Sequence, residues 1–265
     1  MRTRPPAVAG SFYPADPAAL GAALDRYLDE GHRRLTRRPA GAPKAVIAPH
    51  AGYVYSGPIA GTVYAAVQTR CTGIERVVLL GPAHRVRVDG LAASSADAFA
   101  TPLGEIPLDR VALHDSARHP QVRVLDAAHA AEHSLEVQLP FLQRVLGRFE
   151  LIPFAVGAAT HAEVAEVLDD LWGGPETLVV ISSDLSHYHD YDTAVRLDTV
   201  TADAIAALHA ERLDAESACG RIPIGGLIIA AQRHGLHPHL LDLRNSGDTA
   251  GPRDEVVGYG AFAFD

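Results

Sequence analysis

The sequence predicts an α/β protein: a single-domain three-layer αβα sandwich over residues 1–265, with a mainly parallel central sheet and antiparallel C-terminal strands. Three observations carry this reading. Aliphatic runs alternate with segments of helical periodicity along the whole chain. Three runs, Lys44–His50, Val77–His84 and Leu178–His187, are nearly continuous in aliphatic residues before they turn polar, as strands covered on both faces are. The tail changes character, with two further apolar runs joined by a polar, Gly-rich loop.

The elements follow in order. Asp16 to Glu30 reads as a helix, with Asp16 as N-cap, Pro17 in the first turn and Leu20, Leu24, Tyr27 and Leu28 as one apolar stripe. Arg33–Pro43 is a basic connector. The strand ending at His50 comes next, then a helix of small residues over Pro58–Gln68, then the strand ending at His84. Leu91–Ser94 reads as a short strand. Pro107–Arg118 reads as helical, and Ala130–Leu146 as a helix that Pro140 kinks or breaks. Phe149–Val156 is a strand. Thr160–Leu171 is a helix with Thr160 as cap and Glu163 as its capping-box partner. After the strand leading to Asp184, Ala194–Leu208 is an amphipathic helix. Ile222–His234 is a helix apolar almost all round, hence buried. His239–Arg244 and Glu255–Phe264 close the chain as a hairpin at the sheet's edge.

Composition narrows the function. Hydrophobic residues make up 48% of the chain, enough for a full core. The formal net charge of -9 argues against nucleic acid or anionic membrane as the main partner. No apolar run reaches the ~18 residues of a membrane span, and no apolar stretch follows the basic N-terminus as in a secretory signal. A soluble, cytoplasmic protein is expected. Cys71 and Cys219 lack metal-type spacing and read as reduced, structural thiols.

The chemistry-bearing residues stand at the carboxyl ends of strands, where open α/β sheets bind ligands. His50 follows Ala48–Pro49 and His84 follows Gly81–Pro82–Ala83. The repeated layout points to one shared site. On adjacent strands ~4.8 Å apart, two imidazoles reach one ion at about 2.0–2.1 Å. Asp184 and His187 stand three apart after the third strand. Asp184 is a candidate ligand or histidine-orienting group, and His187 a candidate proton carrier. His189, Asp190 and Asp192 read as caps of the next helix. Glu132, His133 and Glu136 fall in the first turns of the Ala130–Leu146 helix, with Glu132 and Glu136 on one face. For Glu132 and His133, complementing the helix dipole and serving a pocket both stand. Asp248, in the loop Asn245–Gly251, is either a turn residue or the carboxylate that completes a two-His facial triad of non-haem iron(II) type. The remaining histidines read as surface or structural. There is no phosphate-cradling Gly loop, nucleophile elbow or zincin motif.

Five stretches, Arg4–Pro14, Pro49–Tyr53, Gly81–His84, Glu132–Phe141 and Ser182–His187, resemble the Memo (mediator of cell motility) family, whose prokaryotic members are called AmmeMemoRadiSam system protein B. The resemblance implies a fold similar to the catalytic subunit of class III extradiol dioxygenases, with His50 and His84 as imidazole ligands of iron(II), zinc or copper being the other metals considered. It also implies that Asp184 and His187 belong to the pocket, His187 as acid/base. The candidate catalytic set is then His187, Asp184, Glu132 and His133. Animal members place a cysteine ligand in the C-terminal segment. This chain has no cysteine after Cys219, and Asp248 is the nearest equivalent, so the expected metal set is His50, His84 and Asp248, with Asp184 or water as the alternative third ligand. The resemblance further implies radical-SAM and AMMECR-type protein partners. Three functions compete: a non-haem iron(II) oxidoreductase acting on a small chelating substrate, a zinc-type hydrolase with Glu132 or Asp184 as base, and a peptide-binding module on an enzyme scaffold.

Overall fold

A computed structural model describes residues 2–35 and 41–265. In chain order the elements are β1 (Thr3–Arg4), α1 (Pro17–Arg34), β2 (Ala45–Ala48), α2 (Tyr53–Arg70), β3 (Arg76–Pro82), β4 (Leu91–Ala93), β5 (Ala98–Thr101), β6 (Gly104–Pro107), α3 (Arg110–Ser116), β7 (Val122–Val124) and α4 (Ala127–Ala130). There follow α5 (Leu139–Leu146), β8 (Glu150–Val156), α6 (His161–Asp170), β9 (Thr177–Ser182), β10 (His187–His189), α7 (Tyr191–Ala206), α8 (Arg221–His234), β11 (Pro238–Asn245) and β12 (Val256–Phe264). The middle of the expected Arg33–Pro43 connector lies outside the described residues, and its first two residues belong to α1.

Nine of the described strands form one sheet in the order β10-β12-β2-β9-β3-β8-β4-β7, with β11 also paired to β12. The α/β class is as the sequence predicts. The four central strands, β2, β9, β3 and β8, are parallel. The flanks mix directions, because β4 runs antiparallel to β8 and β12 antiparallel to β2. The parallel part is therefore the centre of the sheet and not most of its length. Every residue of β2 and β9 is buried, which requires cover on both faces. α1, α2 and α5 pack as one group and α6 with α8 as another. The tail forms the expected hairpin, β11 with β12, at the sheet's edge. A second sheet, β1-β5-β6, ties the N-terminus to a short hairpin that periodicity does not reveal.

Helix ends follow local chemistry. Asp16 caps α1 by accepting from the Ala19 N–H at 2.8 Å, and Thr160 with Glu163 forms the expected capping box on α6. α1 crosses α2 on glycine: a Cβ at Gly61 would lie 2.3 Å from the Tyr27 carbonyl oxygen, and one at Gly31 would lie 2.2 Å from that of Gly61. The predicted helix over Ala130–Leu146 does not form as one piece. Glu132 Oε1 accepts the backbone N–H groups of His133 and Ser134, both at 2.9 Å, and so takes the donors that a continuing helix needs. The chain makes a turn there, and α5 restarts with Pro140 in its first turn, where the missing N–H costs nothing.

α7 carries a buried carboxylate, Asp198, 3% exposed, whose Oδ1 accepts from the Ser186 N–H at 3.0 Å. Burial pushes its pKa up to about 6, against the pull of that N–H. The unfolded chain titrates near ~3.9, so between the two values the folded state holds the extra proton. The stabilisation is complete below about pH 4 and is lost as pH rises through 6, by about 3 kcal/mol at most. Asp198→Asn removes this dependence. Urea unfolding of both proteins at pH 4.5 and 7.5 will show the variant gaining on the wild type as pH rises; parallel profiles would refute the assignment.

Candidate metal centre

His50 and His84 each lie two residues past a central strand, but the strands are not neighbours. β9 runs between β2 and β3. The two rings nevertheless converge, with centroids 5.3 Å apart. The strand between them ends in a small residue, Ser182, which leaves room above it and bonds to one of the rings. His133 completes the group, its ring 4.8 Å from that of His84 and 5.6 Å from that of His50. One ligand atom from each of the three lies within 4.8 Å of the other two. Two metal–nitrogen bonds of about 2.1 Å span up to ~4.2 Å, so small ring adjustments suffice for the three to grip one ion.

The hydrogen bonds decide which nitrogens are free. Ser182 Oγ donates its single proton to the Ser134 carbonyl at 2.5 Å and accepts from Gln138 Nε2 at 2.8 Å. It can only accept from His50 Nδ1, 2.9 Å away. His50 therefore carries its proton on Nδ1 and turns the Nε2 lone pair outward. His84 is fixed in the same way by Glu132. That carboxylate accepts His84 Nδ1–H at 2.9 Å and the His84 backbone N–H at 2.6 Å, besides the N–H groups of His133 and Ser134. Burial raises the Glu132 pKa, but these donors and the His84 charge outweigh it and bring it to about 2. Glu132 is an ionised brace for His84, and a carboxylate with a pKa of about 2 is a weak base. This is the carboxylate–histidine pairing of metal sites.

His133 was expected on a helix. It stands in the turn that Glu132 creates, against the ring of Phe12 at 4.8 Å. Its Nδ1 is buried and lies 3.4 Å from Glu132 Oε1 without hydrogen-bond geometry. Burial lowers its pKa to about 4, and burial with the neighbouring His84 charge lowers that of His50 to about 3. Both rings are thus neutral near pH 7, as ligands must be. The donor set of three imidazoles fits a divalent transition metal.

Asp184 lies at the same hollow, 5% exposed, with Oδ1 accepting the His50 backbone N–H at 2.7 Å and Oδ2 4.0 Å from His50 Nε2. Burial raises its pKa. His187 lines the other wall of a cavity of about 950 Å³ that opens over the three histidines. Asp190 caps α7, as expected, through the Thr193 N–H.

Asp248 does not join the group. Its carboxylate accepts from the Tyr191 hydroxyl at 2.7 Å and from the Asn245 backbone N–H at 3.0 Å, closing the turn after β11. The turn reading of this residue holds in the structure, and His133 takes the third place. Cys219, read as a reduced, structural thiol, lies at the site. Its Sγ lies 3.3 Å from His50 Nε2, at the cavity wall. The thiol reaches the site because Gly220 has no side chain: a Cβ there would lie 2.6 Å from Ser183 Cβ. Burial pushes the thiol up to about 12, which keeps it protonated beside the neutral histidine. The signal available in the sequence was Cys219–Gly220 at the start of a helix in a fold whose helix starts face the crevice.

Comparison with known proteins bears on the family and the fold. Residues 4–263 match the Memo-like protein family. A MEMO1 family protein of Aquifex aeolicus is 36% identical, with 100% of each chain covered. A second, from Aeropyrum pernix, is 38% identical over 98% of this chain and 99% of its own. A crystal structure of an uncharacterized protein of Escherichia coli K12 shares the fold, with a TM-score of 0.55 at 10% identity over 83% of this chain and 98% of that one.

Proposed function

Because the chain belongs to the Memo-like family, whose histidine motifs here converge on one hollow, we propose that it is a metal-dependent oxidoreductase of non-haem iron(II) type acting on a small chelating substrate. The observation that carries this is the convergence of His50, His84 and His133, the first two braced through Nδ1, on a cavity large enough for an organic molecule. Three imidazoles would hold the ion, and iron(II), when bound, would supply activation of dioxygen beside the substrate. The chain's own residues do the rest. Ser182 and Glu132 hold Nδ1 of His50 and His84 and leave Nε2 of each facing the hollow as the ligand atom. Asp184, raised by burial, and His187, across the cavity, are placed to take or return a proton of a substrate hydroxyl. The family resemblance extends the proposal to a cytoplasmic role with radical-SAM and AMMECR-type partners.

Anaerobic protein loaded with iron(II) will bind 4-methylcatechol, with binding lost in His50→Ala. Failure to bind, or binding unchanged in the variant, would reject the oxidoreductase reading. A hydrolase reading has one observation in its favour: Asp184, with its raised pKa, is a competent base, whereas Glu132 is not. Zinc in the purified protein together with absent oxygen uptake would move the conclusion there.

A further inference from the structure

We infer that the ligand of this cavity carries a positively charged amine arm, and that Tyr188 holds that arm at the mouth; the ligand's chelating end rests on the metal-centre reading above. Tyr188 lies between His187 and His189 with a φ of 59°, the left-handed region that glycine takes freely and residues with a Cβ avoid. It is 74% exposed, so it does nothing for the core. Yet its ring lines the cavity, 5.7 Å from that of His187. A strained, exposed aromatic residue at a cavity mouth is a feature that binding explains and folding does not. Tyr55, also partly exposed, borders the same space.

The charges of the rim give the sign of the ligand. The carboxylates of Glu216 and Glu255 border the opening, and among the described residues that line it none is lysine or arginine. Arg253, in the adjoining loop, is engaged on the Tyr191 ring, 4.2 Å from its centroid. A phosphate or carboxylate arm finds no lysine or arginine on this lining. An ammonium finds aromatic faces, which attract cations, and an acidic rim, which concentrates them. The two ends of such a ligand then sort themselves, the chelating oxygens toward the histidines and the amine toward the mouth.

Three catechols differing only in their arm test this: dopamine, 4-methylcatechol and 3,4-dihydroxybenzoate, titrated anaerobically into metal-free and iron(II)-loaded protein. Dopamine is expected to bind at least about tenfold more tightly than 3,4-dihydroxybenzoate in both forms. Tyr188→Gly is expected to lower dopamine affinity by about fivefold, the scale of one cation–π contact, while raising the midpoint of urea unfolding. Tyr188→Phe is expected to retain the affinity, since the ring face and not the hydroxyl is used. Equal or reversed preference, no dopamine binding in either form, or wild-type dopamine affinity in Tyr188→Gly would overturn the inference. A retained preference that is indifferent to iron would support it and overturn the metal reading alone.

Discussion

Glu136→Ala will destabilise the protein by about 3–5 kcal/mol, and Arg4→Ala by a similar amount. The two form a buried ion pair, 1% and 7% exposed, between Arg4 Nη1 and Glu136 Oε2. The pair is stitched into backbone on both sides. Arg4 Nε donates to the His129 carbonyl at 2.9 Å and Nη2 to the Glu132 carbonyl at 2.6 Å. Glu136 accepts the N–H groups of Ala7 at 2.7 Å and Val8 at 3.0 Å, and the Tyr13 hydroxyl at 2.5 Å. Removing either side chain leaves a charge in the interior with no water to replace its partner. The damage will reach the site, because the Arg4 contact holds the turn that carries Glu132 and His133, and the segment it anchors brings Phe12 against His133. Urea unfolding measures the effect. A loss below about 1 kcal/mol would mean that the pair behaves as a surface salt bridge and that the turn is held by something else.

Glu132→Gln will weaken metal binding by about 10–100-fold, although Glu132 touches no metal. An amide cannot accept four donors. Its oxygen is drawn to the three donors at the Oε1 position, which sets its NH₂ against the His84 backbone N–H, and a neutral oxygen holds His84 Nδ1–H less firmly than a carboxylate does. His50, held by Ser182, is untouched by the change, so affinity falls without vanishing. Competition against a chromogenic chelator at neutral pH reads the loss. Wild-type affinity in the variant would show that the carboxylate does not brace His84 for the metal.

Much of the fold is legible in local sequence. Asp16, Pro17, Thr160 and Glu163 announce helix starts through chemistry that operates within four residues, and the aliphatic runs of β2, β3 and β9 announce central strands. Their order in the sheet is not local. Nothing in Val77–His84 says that β9 comes between it and β2, so the correct meeting of His50 and His84 was expected for a wrong reason. The turn at Glu132 shows a second limit. Periodicity sees Leu135, Leu139 and Leu142 and reads a helix, whereas one carboxylate bonding its own neighbours ends it. His133 was consequently singled out without its place, and Asp248 took that place on chemical type alone. Cys219 was set aside because ligand spacing in sequence was the criterion, and its approach to His50 depends on a long crossover and on Gly220.

The central claim is that His50, His84 and His133 grip a single ion. The most direct measurement is metal bound per chain, by anaerobic titration with iron(II) and zinc(II), in wild type and in the His50→Ala/His84→Ala variant, with circular dichroism confirming that the variant is folded. One ion per wild-type chain and none in the folded variant is the predicted result. Equal stoichiometry and affinity in the two proteins would contradict it.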